Sequence, residues 1–503
     1  MLSMLLGRPL AAIGGLLVLV LLSRKLPAVD YGLYFSVWAI AEIVILASNV
    51  GLIHAVYRYV SADECLAGRI TPQGPVARLV GWRLLSLLPC GLALALAPQL
   101  TGLLGTQLAP ATVGWLALIV MGEGMARFFE AVFDSMLCQG RSQLTLISRT
   151  VLRLLGYGWV LSHGSLQLQQ VLLIEVAATT GGALLGLLLL LSLYRGAPAA
   201  VAQPAPASPP LAVMAAFALP AYLAQVLTLT YGPDALKLIL SATAGPAALA
   251  LFGFAYSLAA VVQRYMPANL LAGVFRPVFV AAAKKDDADQ VLSHLIGLSI
   301  KVNWLVVLPV LCFLWSGGSG MLAMISGGNY PHAGPIVSAV VLALLLIAVH
   351  LTLSMYCLAL AISWPVLWAT AASALSLPVA FLLARAYGAM GICQVFLLSE
   401  LIWCTVCYTL VKRHSGGALQ LHWQGLGKLL AAAAAALALA ELLRLGQVSW
   451  LWLAPGSTLL FVALALVLMP FSPRERGWLL SILPGVKFLK KFQIVDESKQ
   501  TIA

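Results

Sequence analysis

Glu123, Arg127, Glu130 and Asp134 stand at offsets of 0, 4, 7 and 11 inside an apolar run from Thr112 to Leu137. At about 100° per residue the four fall within about 60° of one another, so they share one narrow helix face. The rest of that helix is Val, Leu, Ile, Met and Phe. In a bilayer such a face cannot look at lipid; it must meet water, a polar cavity or partner charges. Two readings follow. Arg127, with Glu123 at i−4 and Glu130 at i+3, can sit in an internally paired seam. Alternatively, the face lines an internal polar space.

Other charges lie at comparable depth: Glu42, Arg83, Arg149, Arg153, Glu175, Asp234, Lys237, Arg264, Lys301, Glu400 and Glu441. Arg149 and Arg153, four apart, share a face and are positioned to pair with Glu130 and Asp134 across a short hairpin. Asp234 and Lys237, three apart, read as a local pair. Glu400 and Glu441 read as structural or interfacial. Arg264 and Lys301 have no acid within one helical turn. Glu42 and Glu123 fall near mid-depth, where a carboxylate can take up a proton or a cation during transport.

Elements that place charges in this way are membrane spans. Of the 503 residues 62% are hydrophobic and only 9% charged, against roughly 25% charged in soluble proteins. The chain is an all-α polytopic membrane protein. At ~20 apolar residues per span the length accommodates about fourteen helices. They are expected at 4–23, 31–54, 76–97, 112–138, 143–162, 169–194, 211–240, 246–275, 290–315, 333–357, 362–384, 388–411, 425–443 and 449–470. The long runs 211–240 and 246–275 are expected to tilt or bend.

With the N-terminus in the cytoplasm, 18 of the 29 Lys and Arg residues fall in cytoplasmic segments or at the cytoplasmic ends of spans and 4 in external segments. That asymmetry predicts both termini inside. The net charge of +12 then reports loops facing anionic lipid rather than nucleic acid. The first run ends at Arg24-Lys25 without a small-residue cleavage site and reads as a permanent span. Cys404 and Cys407 form a CxxC in mid-span and read as two small membrane residues. No phosphate-binding loop is present, since Gly427-Lys428 lacks the upstream Gly and the following Ser or Thr. No His/Cys/carboxylate cluster calls for a metal, and nothing implies a cofactor.

Residues 195–210 form a Pro/Ala-rich cytoplasmic linker. It divides twelve spans into an N-lobe, 1–194, and a C-lobe, 211–411. Gly32-Leu-Tyr-Phe-Ser36 is echoed by Gly253-Phe-Ala-Tyr-Ser257, each residue 221 positions after its counterpart, as in a parallel repeat. Two helices follow at 425–470. External connections are short, the longest being about 316–332. The tail, 471–503, opens with Ser472-Pro-Arg-Glu475, a capping box with Pro at the first helical position. Residues 473–492 then mix apolar and basic side chains like a helix lying on anionic lipid.

The hairpin Leu21-Leu-Ser-Arg24-Lys-Leu26-Pro27-Ala-Val-Asp-Tyr31-Gly32, with Asn49-Val-Gly51 and Tyr57-Arg58-Tyr59 after it, resembles the polysaccharide-transporter family. A second-half segment with Gly253, Tyr256, Ser257, Pro267 and Pro277 is similar too. The family belongs to the superfamily of multidrug antiporters and lipid-linked oligosaccharide flippases. The resemblance covers about 1–415; the turn Lys25-Leu26-Pro27-Ala28 departs from it in lacking the usual Gly. It implies two six-helix lobes around a central cavity that opens alternately to either side. It also implies an undecaprenyl-diphosphate-linked oligosaccharide as cargo in the bacterial inner membrane. Polysaccharide polymerase and export machinery would be neighbouring partners, and a proton or sodium ion the coupling ion.

On that reading Arg127, Arg264 and Lys301, with Arg153 and Arg83, are the expected cationic lining for a diphosphate, because Arg and Lys make charge-assisted bonds to phosphate oxygens. Glu42 and Glu123 are the coupling candidates. A small-molecule antiporter of the same fold is the alternative, although the first span lacks an acid. A membrane glycosyltransferase or polymerase is a further one, but no large external loop carries acidic residues.

Overall fold

The structure is a computed structural model describing residues 2–60, 75–96, 99–103, 108–196, 219, 222–223, 225–270, 279, 288–360, 362–415, 423–473 and 475–477. Among these the chain is helical, with no strand. The first eight helices are α1 (Leu2–Lys25), α2 (Ala28–Ala47), α3 (Leu52–Tyr59), α4 (Pro75–Leu96), α5 (Leu100–Leu103), α6 (Pro110–Ser135), α7 (Gln139–His163) and α8 (Leu168–Gly196). Then come α9 (Pro233–Ala244), α10 (Pro246–Arg264), α11 (Pro267–Leu270), α12 (Ala288–Ile325), α13 (Ala333–Ala359), α14 (Trp364–Ala374), α15 (Leu377–His414), α16 (Trp423–Leu445) and α17 (Trp450–Leu468).

Nine helical stretches among the described residues are long and apolar enough to cross a membrane: α2, α4, α8, α10, α12, α13, the α14–α15 stretch, α16 and α17. Helices α6 and α7 match them in length but carry the ionic residues described below. The protein is a multi-pass membrane protein. Residues 197–210 of the expected linker, 478–492 of the expected surface helix and the rest of the tail to 503 lie outside the described residues.

Several boundaries differ from the sequence expectation, each for a local reason. The run 211–240 breaks at Gly232, and Pro233, at the first helical position, starts a new helix. A proline there loses no hydrogen bond, because that N–H would be unpaired anyway. The run 246–275 ends at Arg264, and Pro267 opens α11. The expected loop 316–332 is helical as far as Ile325. Its Gly317 is a packing position, since a Cβ there would stand 2.6 Å from the Ala454 Cβ of α17. Small residues of this kind let membrane helices approach closely. In α15 the expected turn between two spans survives as a break at Gly388, φ +57°.

Two compact units result. The first comprises Met1–Arg264, Gly318–Leu346 and Val366–Val406; the second comprises Tyr265–Gly317, Ile347–Pro365 and Cys407–Ala503. The stretch 211–411 is thus shared between the units.

Within the first unit α6 is the hub, packing against α2, α3, α4, α7 and α8. Its Leu116, Ile119, Val120, Phe128, Phe129, Val132 and Phe133 are buried. Glycine brings its neighbours close: Gly122 lies against Thr179 of α8 and Gly124 against Leu87 of α4. Helix α2 packs on α9 and α10, so the two echo segments face each other. Gly32 meets the Pro246 carbonyl, Gly253 meets the ring of Phe35, and Ser36 and Ser241 share a 3.1 Å hydrogen bond. At one end of the same unit Arg24 donates to the carbonyls of Ile325 and Met324, while Asn329 donates to that of Ser23. Each helix end is therefore capped by a side chain from the other segment.

In the second unit α16 and α17 pack as a pair. The capping box forms as expected: Glu475 N–H donates to Ser472 Oγ at 3.3 Å and Ser472 N–H donates to Glu475 at 2.7 Å.

Candidate functional site: a buried ionic network in the first unit

Four helices contribute one polar face each, at helical spacing. On α2 the face is Tyr34, Trp38 and Glu42; on α6 it is Glu123, Arg127 and Glu130; on α7 it is Arg149, Arg153 and Tyr157; on α8 it is Glu175 and Thr179. Steps of three and four residues stack side chains on one side of a helix.

Glu123 is the centre. Its Oε1 accepts from Arg127 Nε at 2.7 Å and from Arg149 Nη1 at 2.5 Å, and Arg153 Nη2 lies 3.9 Å from Oε2. Arg149 also donates to Glu130. Arg153 donates to Glu175 at 2.7 Å and lies over the Trp38 ring, 5.5 Å from its centroid. Glu175 accepts from Tyr157 at 2.7 Å and from Tyr34 at 3.3 Å. Arg127 offers its outer edge to Glu42 through two bonds of 2.7 and 2.5 Å. Four carboxylates therefore meet three guanidinium groups, leaving one formal negative charge. An isolated charge at bilayer depth costs roughly 2.5–3.5 kcal/mol on insertion scales; mutual pairing offsets that cost.

Exposure is uneven across the network. The side chains of Arg149 and Glu123 are 4% and 5% exposed, whereas Arg127 and Glu42 are 35% and 24% exposed. The Arg127–Glu42 end is where the network opens.

Packing explains the geometry. Gly182 of α8 lies against the Arg149 side chain, where a Cβ would stand 2.7 Å from Cδ. Without that gap Arg149 could not run along α8 to reach both Glu123 and Glu130.

The other expected cations have different fates. Arg83 is buried and caps the end of α2, donating to the Ile45 carbonyl at 3.1 Å and to Ser48 at 3.3 Å. A cation at a helix C-terminus is offset by the helix dipole. Arg264, in the last turn of α10, is exposed and makes no hydrogen bond or ion pair among the described residues. Lys301 is not the unpaired cation its sequence surroundings imply. It lies in the second unit, buried, and donates to both oxygens of Glu475 at 2.8 and 2.9 Å. Arg153 turns to Glu175 rather than to Asp134. Asp234 and Lys237 form the expected local pair at 2.8 Å. Glu441 bonds Arg444 and Trp315 in the second unit.

Tyr34, Trp38 and Tyr157 were missed by charge placement alone. The signal that finds them is recurrence at i, i+4 and i+8: Tyr34, Trp38 and Glu42 on one helix, and Arg149, Arg153 and Tyr157 on another.

No family model and no curated protein matches this sequence. Solved structures share its fold. The lipid II flippase MurJ in an inward closed conformation aligns with a TM-score of 0.67 at 14% identity, over 92% of this chain and 97% of that one. An inward-facing multidrug resistance MATE family transporter of the MOP superfamily aligns with a TM-score of 0.59 at 15% identity, over 81% and 95%. An outward-facing MATE family transporter gives 0.54 at 12% identity, over 83% and 94%. The chain thus shares its fold with these transporters.

Proposed function

We propose that this protein is a flippase that moves an undecaprenyl-diphosphate-linked oligosaccharide from the cytoplasmic to the periplasmic leaflet by alternating access. Its two lobes, 1–194 and 211–411, would enclose the path in the bacterial inner membrane, with both termini cytoplasmic. Polysaccharide polymerase and export machinery would take the product. The observation that carries this reading is the half-exposed Arg127 at the open end of a buried ionic network, within a fold shared with a lipid II flippase. A guanidinium whose inner edge is held by Glu123 and whose outer edge sits at the more exposed end, on Glu42 alone, suits exchange onto a phosphate, which accepts two parallel bonds. Arg153 and Arg83 support the site from within, and Arg264 is a further cation for the cargo. Of the coupling candidates, Glu123 is held by three guanidinium groups and Glu42 by one, so Glu42 is the better carrier of a proton or sodium ion.

The test is a proteoliposome carrying a fluorescent undecaprenyl-diphosphate oligosaccharide. Appearance of the glycan to an impermeant lectin on the opposite leaflet supports the reading. A second reading, a cation-coupled small-molecule antiporter, rests on the MATE likeness. Ethidium efflux driven by an imposed ion gradient, with no lipid movement, would favour it instead.

A further inference from the structure

We infer that Glu42 is a built-in stand-in for the substrate's phosphate, so that cargo binds Arg127 by displacing a carboxylate and releasing α2 from α6. The inference rests on the flippase reading.

The geometry carries it. Glu42 occupies the outer edge of the Arg127 guanidinium with both oxygens, at 2.7 and 2.5 Å. A phosphate takes the same edge with the same two-point match. The inner edge is fixed independently: Nε donates to Glu123, which Arg149 also holds. Removing Glu42 therefore leaves Arg127 oriented and its outer edge free. Glu42 is also suited to leave. It has one cationic partner where Glu123 has three, and its side chain is 24% exposed where Glu123 is 5% exposed.

Displacement has a mechanical consequence. The pair Glu42–Arg127 is the ionic bridge between α2 and α6. The other network contacts of α2 are weaker: the 3.3 Å bond from Tyr34 to Glu175 and the ring contact of Trp38 with Arg153. Helix α2 also packs on α9 and α10 through Gly32, Phe35 and Ser36. Substituting an anion for Glu42 would loosen α2 on the α6 side while its contacts with α9 and α10 persist. Ligand binding shifts an equilibrium only through contacts that differ between states, and this swap supplies such a difference. Any phosphate with two non-bridging oxygens fits the edge, each phosphate of a lipid-linked diphosphate included; an isoprenyl tail would add apolar contact.

The test uses the purified full-length protein with farnesyl diphosphate and inorganic pyrophosphate as calorimetric probes, and phenylglyoxal to report the accessibility of Arg127. Because the wild-type site is open only when Glu42 has left, E42Q should bind farnesyl diphosphate on the order of tenfold more tightly. E42Q should also speed phenylglyoxal modification of Arg127, with farnesyl diphosphate protecting it. R127Q should remove binding in both backgrounds. Should E42Q fail to accumulate, E42D serves, since its shorter carboxylate loses the two-point reach. Equal gains for both probes assign the site to the diphosphate alone; a larger gain for farnesyl diphosphate adds the lipid. Unchanged or weaker binding in E42Q and E42D overturns the inference, as does a gain that survives R127Q. If the wild type flips its lipid yet E42Q shows no gain, the exchange alone is wrong. If the exchange occurs but no lipid is flipped, the flippase reading alone is wrong.

Discussion

At the scale of residues, burial separates Arg149 from Arg127, whose pair with Glu42 lies at the more exposed end of the network. Arg149 has an almost fully buried side chain shared between Glu123 and Glu130. Arg149→Ala would take from Glu130 its guanidinium partner and from Glu123 one of its three, and breaking a buried ion pair costs about 3–5 kcal/mol. Folded yield and melting temperature in detergent should fall sharply, and less for Arg127→Ala, whose side chain is 35% exposed. A larger loss for Arg127→Ala would contradict the assignment. Lys301 and Glu475 form a second buried pair. Lys301→Ala should lower yield, and Lys301→Met combined with Glu475→Leu should restore it, because apolar replacement of a whole buried pair is often neutral. Failure of the double variant to recover would give Glu475 another role. The four-charge face of 123–134 was legible because one helix carries it at regular spacing. The Lys301 partner was not, because it lies 174 residues away in a tail that reads as a surface segment.

At the scale of elements, glycines decide where helices meet. Gly182 gives Arg149 its path along α8. Gly182→Ala is a favourable change for an isolated helix, yet here it overpacks a filled space, which costs about 1–3 kcal/mol. We expect lower thermal stability, read as a fall in melting temperature in detergent. A neutral or stabilising Gly182→Ala would refute the contact. Hydropathy located the long apolar helices because lipid contact demands continuous apolar surface. It placed a loop at 316–332 because Gly and Ser usually mark turns. In a membrane protein those residues also mark close helix contact, and Gly317 against α17 is that case. The capping box at Ser472–Glu475 was legible because its spacing carries its own hydrogen bonds.

At the scale of the molecule, sequence supplied the class and the charge bias, and the fold supplied the relatives. Fourteen percent identity to the lipid II flippase structure leaves few shared residues to align by eye, while hydrophobic length and helix order persist. The basic residues predict the orientation. In a cysteine-free background, Gln447→Cys, in the turn before α17, should label with an impermeant maleimide applied outside whole cells. Gly140→Cys, in the first turn of α7, should label only after permeabilisation. The opposite pattern would invert the topology.

The central claim is that Arg127 is the contact for an anionic lipid headgroup while the surrounding network holds the helices. The most direct measurement is the rate of lipid-linked oligosaccharide flipping in proteoliposomes reconstituted with equal amounts of folded wild type, Arg127→Gln and Arg127→Lys. The account predicts that Arg127→Gln falls to the protein-free background with its fold intact, and that Arg127→Lys keeps partial activity through its remaining charge. Flipping at the wild-type rate by folded Arg127→Gln would contradict it.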